Sequence, residues 1–338
     1  MKSLYTVYRP SKWDEVIGQE SVVKILKQQI ETNHIFNCMI FAGTSGTGKT
    51  TLARIYANEL NKGHGSPIEM DAASNSGVDN VRQITATAAE RSLDSEYKVI
   101  IIDEAHNLSG KAWDAFLKCI EEPPYYTVFI FCTTDPHKIP PAIQNRCMRF
   151  NFTRVSQYLI EQRLNYICMT EGYENYQEVT NYISRICEGE VRKGISYLET
   201  CVRYDENLSM ENTLMALGNS SYEDYFTIIN AILDGDSKKI IETVDRMYND
   251  GIDLKKFVDL FTEFCFDVIK FILCRDIKVT KIPDSFQTTL EFTINIENSI
   301  RYLNYIVDKL LNLKNLIKQD NDERTTIGIV FNQISRFV

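Results

Sequence analysis

Apolar residues follow two different rhythms along this chain of 338 residues, and the change comes near Phe152. Before it, short apolar runs alternate with helical patterns. Cys38–Ala42, Pro67–Asp71, Val99–Ile102, Thr127–Cys132 and Cys147–Phe150 read as strands. The third and fourth runs are apolar at almost every position, as strands buried on both faces of a parallel sheet are. Amphipathic helices lie between the runs. In one of them Trp113, Phe116, Leu117 and Ile120 recur at helical spacing, and Pro123 with Pro124 stops it. This alternation predicts an α/β domain with helices on both faces of the sheet.

After Phe152 the strand signals disappear. Residues 155–217 predict short helices broken at Gly189, and residues 220–338 are helical throughout. One stripe holds Ile240, Ile241, Val244, Met247 and Tyr248, closed by Gly251 at a C-cap. A second holds Leu254, Phe257, Val258, Phe261, Cys265, Val268 and Ile272, and a third Ile300, Leu303, Ile306, Val307, Leu310 and Leu313. Stripes of this kind predict core rather than a free partner surface. The expected organisation is therefore a sheet domain over 1–153, small helices over 154–218 and a helical domain over 219–338.

Composition changes this picture little. Hydrophobic residues make up 44% and charged residues 25%, an ordinary globular balance. A net charge of -9 excludes a uniformly basic coat but leaves room for a local basic stripe against phosphates. No run of 18 apolar residues occurs, and the first ten residues, with Lys2 and Arg9, lack a signal peptide's apolar stretch. Neither a membrane span nor export is expected. Nine cysteines form no Cys-x-x-Cys pair, which predicts reduced thiols, and the four histidines (His34, His64, His106, His137) have no metal-like spacing.

Candidate chemistry changes it a great deal. Gly43, Thr44, Ser45, Gly46, Thr47, Gly48, Lys49 and Thr50 fit G-x-x-x-x-G-K-[ST], between a strand and the helical run that starts at Thr51. Glycines there let backbone N–H groups wrap a polyphosphate, and the helix N-terminus adds a favourable dipole. Lys49 would reach the β- and γ-phosphates of ATP, and Thr50 would offer its hydroxyl to Mg²⁺. The apolar run Val99–Ile102 then ends in Asp103 and Glu104, at the strand edge where open α/β sheets bind ligands. Asp103 would hold Mg²⁺, and Glu104 is the natural general base for an attacking water. Thr133, Thr134 and Asp135 follow the fourth strand, so one of the threonines would face the γ-phosphate. Arg146 and Arg192 acquire no role from spacing alone.

These motifs occur in one order with Tyr8, Arg9 and Pro10, Ile17 to Gln19, Asp71 to Ser74, His106, Leu117 to Pro124, Thr133 to Pro136, and Asn145 to Cys147. The series resembles the gamma/tau subunits of the bacterial DNA polymerase III clamp loader and, more distantly, the small subunits of replication factor C. The match is dense over residues 5–152, thinner to about 200, and rests on length and helical character beyond 220. The resemblance implies an AAA+ P-loop ATPase with a parallel sheet and flanking helices, followed by a small helical lid and an all-α collar. It implies that Tyr8, Arg9, Ile17 and Gly18 border the adenine, and that the loop through Thr51 contacts the nucleotide. Thr134 would be a first sensor of the γ-phosphate, Arg192 a second sensor from the lid, and Arg146 an arginine finger reaching the neighbouring subunit's ATP. The implied partners are other loader subunits in a ring of five, a sliding clamp and primer–template DNA. DNA phosphates would be contacted from the helix near Arg82 and the helix after His106.

The sequence also departs from that family. Only residues 61–67 stand where a four-cysteine zinc module is usual, so no structural zinc is expected. Asn145 replaces the usual Ser before the finger, and Asn75 and Gly77 stand where basic residues are frequent. The long tail of tau is not among these residues. A compact loader subunit of this kind would suit a phage or a reduced bacterial replisome and would act in the cytoplasm, the host's if phage-encoded. Another AAA+ DNA-remodelling ATPase, for branch migration or recombination, would share the loop, the acidic pair and the finger. Glu121 to Pro124 and Thr133 to Pro136 favour the loader over it. A scaffold subunit of a loader would lack Lys49 or the acidic pair, and a small-molecule kinase would leave the helical second half unexplained.

Overall fold

Five strands form the expected parallel sheet: β1 (Cys38–Gly43), β2 (Ile68–Asp71), β3 (Lys98–Asp103), β4 (Thr127–Thr133) and β5 (Met148–Phe152). The fold is that of a computed structural model, which describes residues 3–218, 222–293, 299–317 and 322–337. Every sequence-predicted strand is present, with ends moved by one or two residues. The sheet order is β2-β3-β4-β1-β5. Burial explains the order. β1, β3 and β4 are buried along nearly their whole length, while β2 and β5 bury only some positions and take the two edges.

The helices of this part are α1 (Leu4–Val7), α2 (Glu20–Glu31), α3 (Lys49–Leu60), α4 (Val78–Ala88), α5 (Gly110–Glu121) and α6 (Pro141–Gln144). Alternate strand residues point to opposite faces. Ile40, Ile100, Ile102, Phe129 and Phe131 therefore join Val81, Trp113 and Phe116 in one core. Met39, Phe41, Ile101, Val128 and Ile130 join Leu26, Leu52 and Tyr56 in the other. α5 shows how local sequence sets an element. Ser109 caps it by accepting from Ala112 N–H at 3.3 Å, its stripe Trp113, Phe116 and Ile120 is buried, and Pro123 lies just beyond its end.

Helices alone follow: α7 (Gln157–Glu171), α8 (Gln177–Ile186), α9 (Val191–Tyr204), α10 (Met210–Ala216), α11 (Tyr222–Leu233), α12 (Ser237–Asn249), α13 (Leu254–Cys274), α14 (Gln287–Thr293), α15 (Ser299–Leu316) and α16 (Glu323–Ser335). Gly189, at φ 81°, makes the predicted break before α9. The chain divides into two units, Met1–Ile167 with Cys187–Glu199, and Cys168–Ile186 with Thr200–Val338. The expected segment 154–218 is shared between them. The expected boundary at 218/219 abuts residues 219–221, which lie outside the described residues, as do Met1, Lys2 and Val338.

The second unit is built on α13. Its Phe257, Phe261 and Phe264 form a run of stacked or tilted rings with Tyr225, and Phe331 of α16 packs on Phe261. The predicted stripes are core with exceptions: Ile300 at the start of α15 is exposed, and on α12 Ile240, Val244 and Met247 are buried, but Ile241 and Tyr248 are exposed. Those two sit at the flank of the stripe, one position round the helix from its buried line.

Candidate nucleotide site

β1 runs straight into a bent loop, and α3 starts at Lys49. Gly46 and Gly48 have φ of 68° and 100°, conformations that suit glycine. Gly43 is required for another reason. A Cβ there would lie 2.4 Å from the carbonyl oxygen of Phe152 on β5, the neighbouring strand. A glycine-bent loop at the N-terminus of a helix of three turns offers backbone donors and a positive dipole end to an anion.

Lys49 is almost fully buried. Its Nζ donates to the carbonyl oxygens of Gly43 and Thr44, both at 2.8 Å. Burial pushes the ammonium down from the ordinary lysine value, while the carboxylates of Glu104, Asp103 and Glu190 pull the other way. Next along α3, Thr50 Oγ1 donates to Asp103 Oδ2 at 2.8 Å.

Sheet register brings these groups to one edge. Ala42 pairs with Thr133, and Ile102 with Phe131, so β1, β4 and β3 end side by side. The crevice lies beyond their carboxyl ends, where ligands of open α/β sheets sit. Asp103 closes β3, and Glu104 follows it in a left-handed conformation at φ 48°. Glu104 Oε2 is 3.4 Å from His106 Nδ1, and His106 Nδ1 is 3.3 Å from Thr133 Oγ1. Buried Cys132 has its thiol pushed well above the ordinary value by burial, with Asp103 adding to it, so it stays a neutral filler beneath the acidic pair.

A cleft of about 400 Å³ opens here. Of the sequence-predicted residues, Tyr8, Arg9, Ile17, Ser45, Gly46, Thr47, Gly48, Lys49, Thr50, Thr51, Asp103, Glu104 and Arg192 line it. Arg9 Nε donates to Thr51 Oγ1 at 3.1 Å. The Arg192 guanidinium, in the first turn of α9, stands 4.8 Å over the ring of Tyr5.

Other predicted residues lie elsewhere. Gly43 and Thr44 shape the loop and hold Lys49 from behind. Gly18 is turned to Val155, whose Cγ2 would be 3.3 Å from an added Cβ. Thr134 is half-buried one residue past β4 and is not in the cleft wall. Arg146 is outside the cleft, with Nη2 2.8 Å from Glu121 Oε1 and Nη1 donating to Ala142 O at 2.8 Å. Arg82 is exposed on α4, 3.5 Å from Asp79.

Sequence reasoning missed several participants. Tyr5, Arg54 and Ile195 also line the cleft. Arg54 carried a signal, since it lies one turn after Thr50 on α3, and it pairs with Glu69 at 2.5 Å. Gln19 joins the loop to the end of the sheet: its side-chain amide donates to Thr153 O at 2.6 Å, and Oε1 accepts from Thr153 N–H at 3.1 Å. No sequence pattern marks Tyr5.

Four cations in the lining, Arg9, Lys49, Arg54 and Arg192, with one acidic pair suit a polyanion that arrives with a divalent cation. The Thr50 hydroxyl and Asp103 carboxylate are hard oxygen donors already in contact, which fits Mg²⁺. No helix among the described residues is long and apolar enough to cross a membrane.

Comparison with known proteins agrees with this geometry. The DNA polymerase III delta subunit family matches residues 68–156. DNA polymerase III subunit tau of Bacillus subtilis is 31% identical over 89% of this chain and 56% of its own length. Subunit gamma/tau of Mycoplasma genitalium is 30% identical over 87% of this chain and 52% of its own. Subunit gamma of Buchnera aphidicola is 31% identical over 73% of this chain and 74% of its own. The chain thus spans about half the length of the tau and gamma/tau relatives, and about three quarters of the gamma subunit. The Thermotoga maritima RuvB Holliday junction branch migration motor shares the fold, with a TM-score of 0.53 over 72% of this chain and 80% of that one at 20% identity. A glycine-bent loop that holds Lys49 on its own carbonyls and sets Thr50 against Asp103, on a sheet of this order and with relatives this similar, places the chain in the gamma/tau family of DNA polymerase III subunits.

Proposed function

We propose that this protein is an ATPase subunit of a clamp loader, which uses ATP binding and hydrolysis to place a sliding clamp on primer–template DNA. The observation that carries the reading is the contact of Thr50 with Asp103 beside Lys49, at the mouth of a cleft with room for a nucleotide. On binding ATP, Lys49 would leave the carbonyls of Gly43 and Thr44 for the β- and γ-phosphates. Mg²⁺, which neutralises phosphate charge, would be held by Thr50 and Asp103. Glu104 takes the proton of the attacking water. Tyr8, Arg9 and Ile17 border the base, with Gly18 behind them, and Arg192 reads the γ-phosphate from the lid.

Arg146 would act in trans, as a finger in the neighbouring subunit's site, with Thr134 orienting the water in its own. Hydrolysis would then require the assembled ring. ATP drives loading only if clamp and DNA bind the ATP and ADP states with different affinity. We also propose three domains, 1–153, 154–218 and 219–338, the last as collar, and DNA contacts to phosphates from α4 near Arg82 and from α5. No structural zinc is part of the proposal.

The test is steady-state ATP turnover of the protein with its partner loader subunits, alone, with primer–template DNA, and with DNA plus clamp. Stimulation by DNA and clamp together, lost in Arg146→Ala, is the expected result. Stimulation by branched DNA with no effect of clamp would contradict the loader reading.

A further inference from the structure

His106 lies three residues past Asp103, in the short turn Ala105–Asn107 that follows β3. Its side chain is only 14% exposed, yet no function has been given to it so far. Nδ1 faces two oxygens from different strands: Glu104 Oε2 at 3.4 Å, after β3, and Thr133 Oγ1 at 3.3 Å, the last residue of β4. Glu104 Oε2 is shut off from solvent and has no partner in good hydrogen-bond geometry. A buried carboxylate oxygen without a donor is costly, so the imidazole nitrogen that approaches it can govern where it points.

Thr133 Oγ1 already accepts from Asp135 N–H at 3.0 Å, which leaves its own proton to give away. An imidazole nitrogen carries either a proton or a lone pair. Carrying a proton, Nδ1 can donate to Glu104 Oε2 and share that bond with the second lone pair of Thr133 Oγ1; carrying a lone pair, it can only accept from Thr133. These are two discrete arrangements of one small cluster, and they differ in whether Glu104 is held. When Nδ1–H engages Oε2, the other carboxylate oxygen is left for a water.

We propose that His106 is a positioning residue for Glu104, tying the base to the end of β4 through the shared contact of Nδ1 with Glu104 and Thr133. The inference rests on the reading of Glu104 as the base of an ATPase. His106 itself takes no proton and touches no substrate. Thr134 is the residue after Thr133, so the tie would also join the base to the segment proposed to orient the water.

The experiment measures kcat and ATP affinity separately in the assembled loader for wild type, His106→Phe, His106→Asn, Thr133→Val and the double variant His106→Phe/Thr133→Val. Partners of this outer kind affect activity by about 10–100-fold. His106→Phe is expected to lower kcat by at least about 10-fold while ATP affinity changes by less than about 3-fold. His106→Asn, whose amide can replace the Nδ1 donor, recovers a large part of the loss. The double variant is no worse than His106→Phe, because both changes cut the same tie. Unchanged kcat in His106→Phe overturns the inference, as does a parallel fall of kcat and affinity or an additive double variant. Wild-type protein that hydrolyses nothing overturns the ATPase reading itself, and this inference with it.

Discussion

Gly43 and Lys49 mark the two kinds of demand that a phosphate loop makes on single residues. Gly43 is needed for space: a methyl there meets the Phe152 carbonyl, which belongs to a strand and cannot give way cheaply. Gly43→Ala is expected to destabilise the sheet unit by about 1–3 kcal/mol, the usual penalty of overpacking, read as a lower midpoint in thermal unfolding. Lys49 is needed for charge. Its two carbonyl partners belong to partly exposed Gly43 and exposed Thr44, where water can replace the ammonium, so Lys49→Ala should leave folding nearly intact while ATP affinity falls about 10-fold or more, measured by direct nucleotide titration. Most of this was legible in the sequence because the loop motif fixes residue type by geometry. Tyr5 and Gln19 were not, since their roles come from tertiary contacts: the guanidinium of Arg192 over one, the backbone of Thr153 against the other. The His106 contact was equally invisible, because the pairing of β3 with β4 is what brings Thr133 beside it.

Elements were legible where burial was complete. β3 and β4 read plainly as strands because both their faces are covered, whereas the β2 and β5 edges needed their neighbours to confirm them. The α12 stripe was read too wide, because spacing shows which residues share a face but not how deep the face is buried. Arg146 shows what an element adds to a residue. It follows α6 and is held against Glu121, the last residue of α5, within the proline-ended motif of that helix. Both side chains are 40–48% exposed, and such pairs contribute only about 0–1 kcal/mol. A contact this weak can be exchanged, as the proposed role of Arg146 in a neighbouring subunit's site would require. Glu121→Gln should change unfolding free energy by less than about 1 kcal/mol, checked by denaturant titration.

At the scale of the molecule, each of the two units is held together internally by its own means. The sheet unit packs two apolar layers against one sheet. The helical unit has a large aromatic core and, among the described residues, one buried cation, Arg185, with 3% of its side chain exposed. Its guanidinium gathers the carbonyls of Ile277, Thr280 and Ile282, at 3.0–3.4 Å, and Asp284 at 3.1 Å. Arg185→Ala strands those carbonyls, so the helical unit should lose about 3 kcal/mol or more, seen as an earlier denaturant transition for that unit. The sequence foretold helices over this half but not the Arg185 cluster, which joins residues about a hundred positions apart.

The most direct measurement is ATP turnover and ATP affinity of the assembled loader carrying Glu104→Gln beside wild type, with clamp and primer–template DNA present. The account predicts that turnover falls by about 100-fold or more, as loss of a general base does, while affinity stays within about 3-fold because Lys49, Thr50 and Asp103 are untouched. Turnover that survives in Glu104→Gln would contradict it and would move the chemistry away from this cleft.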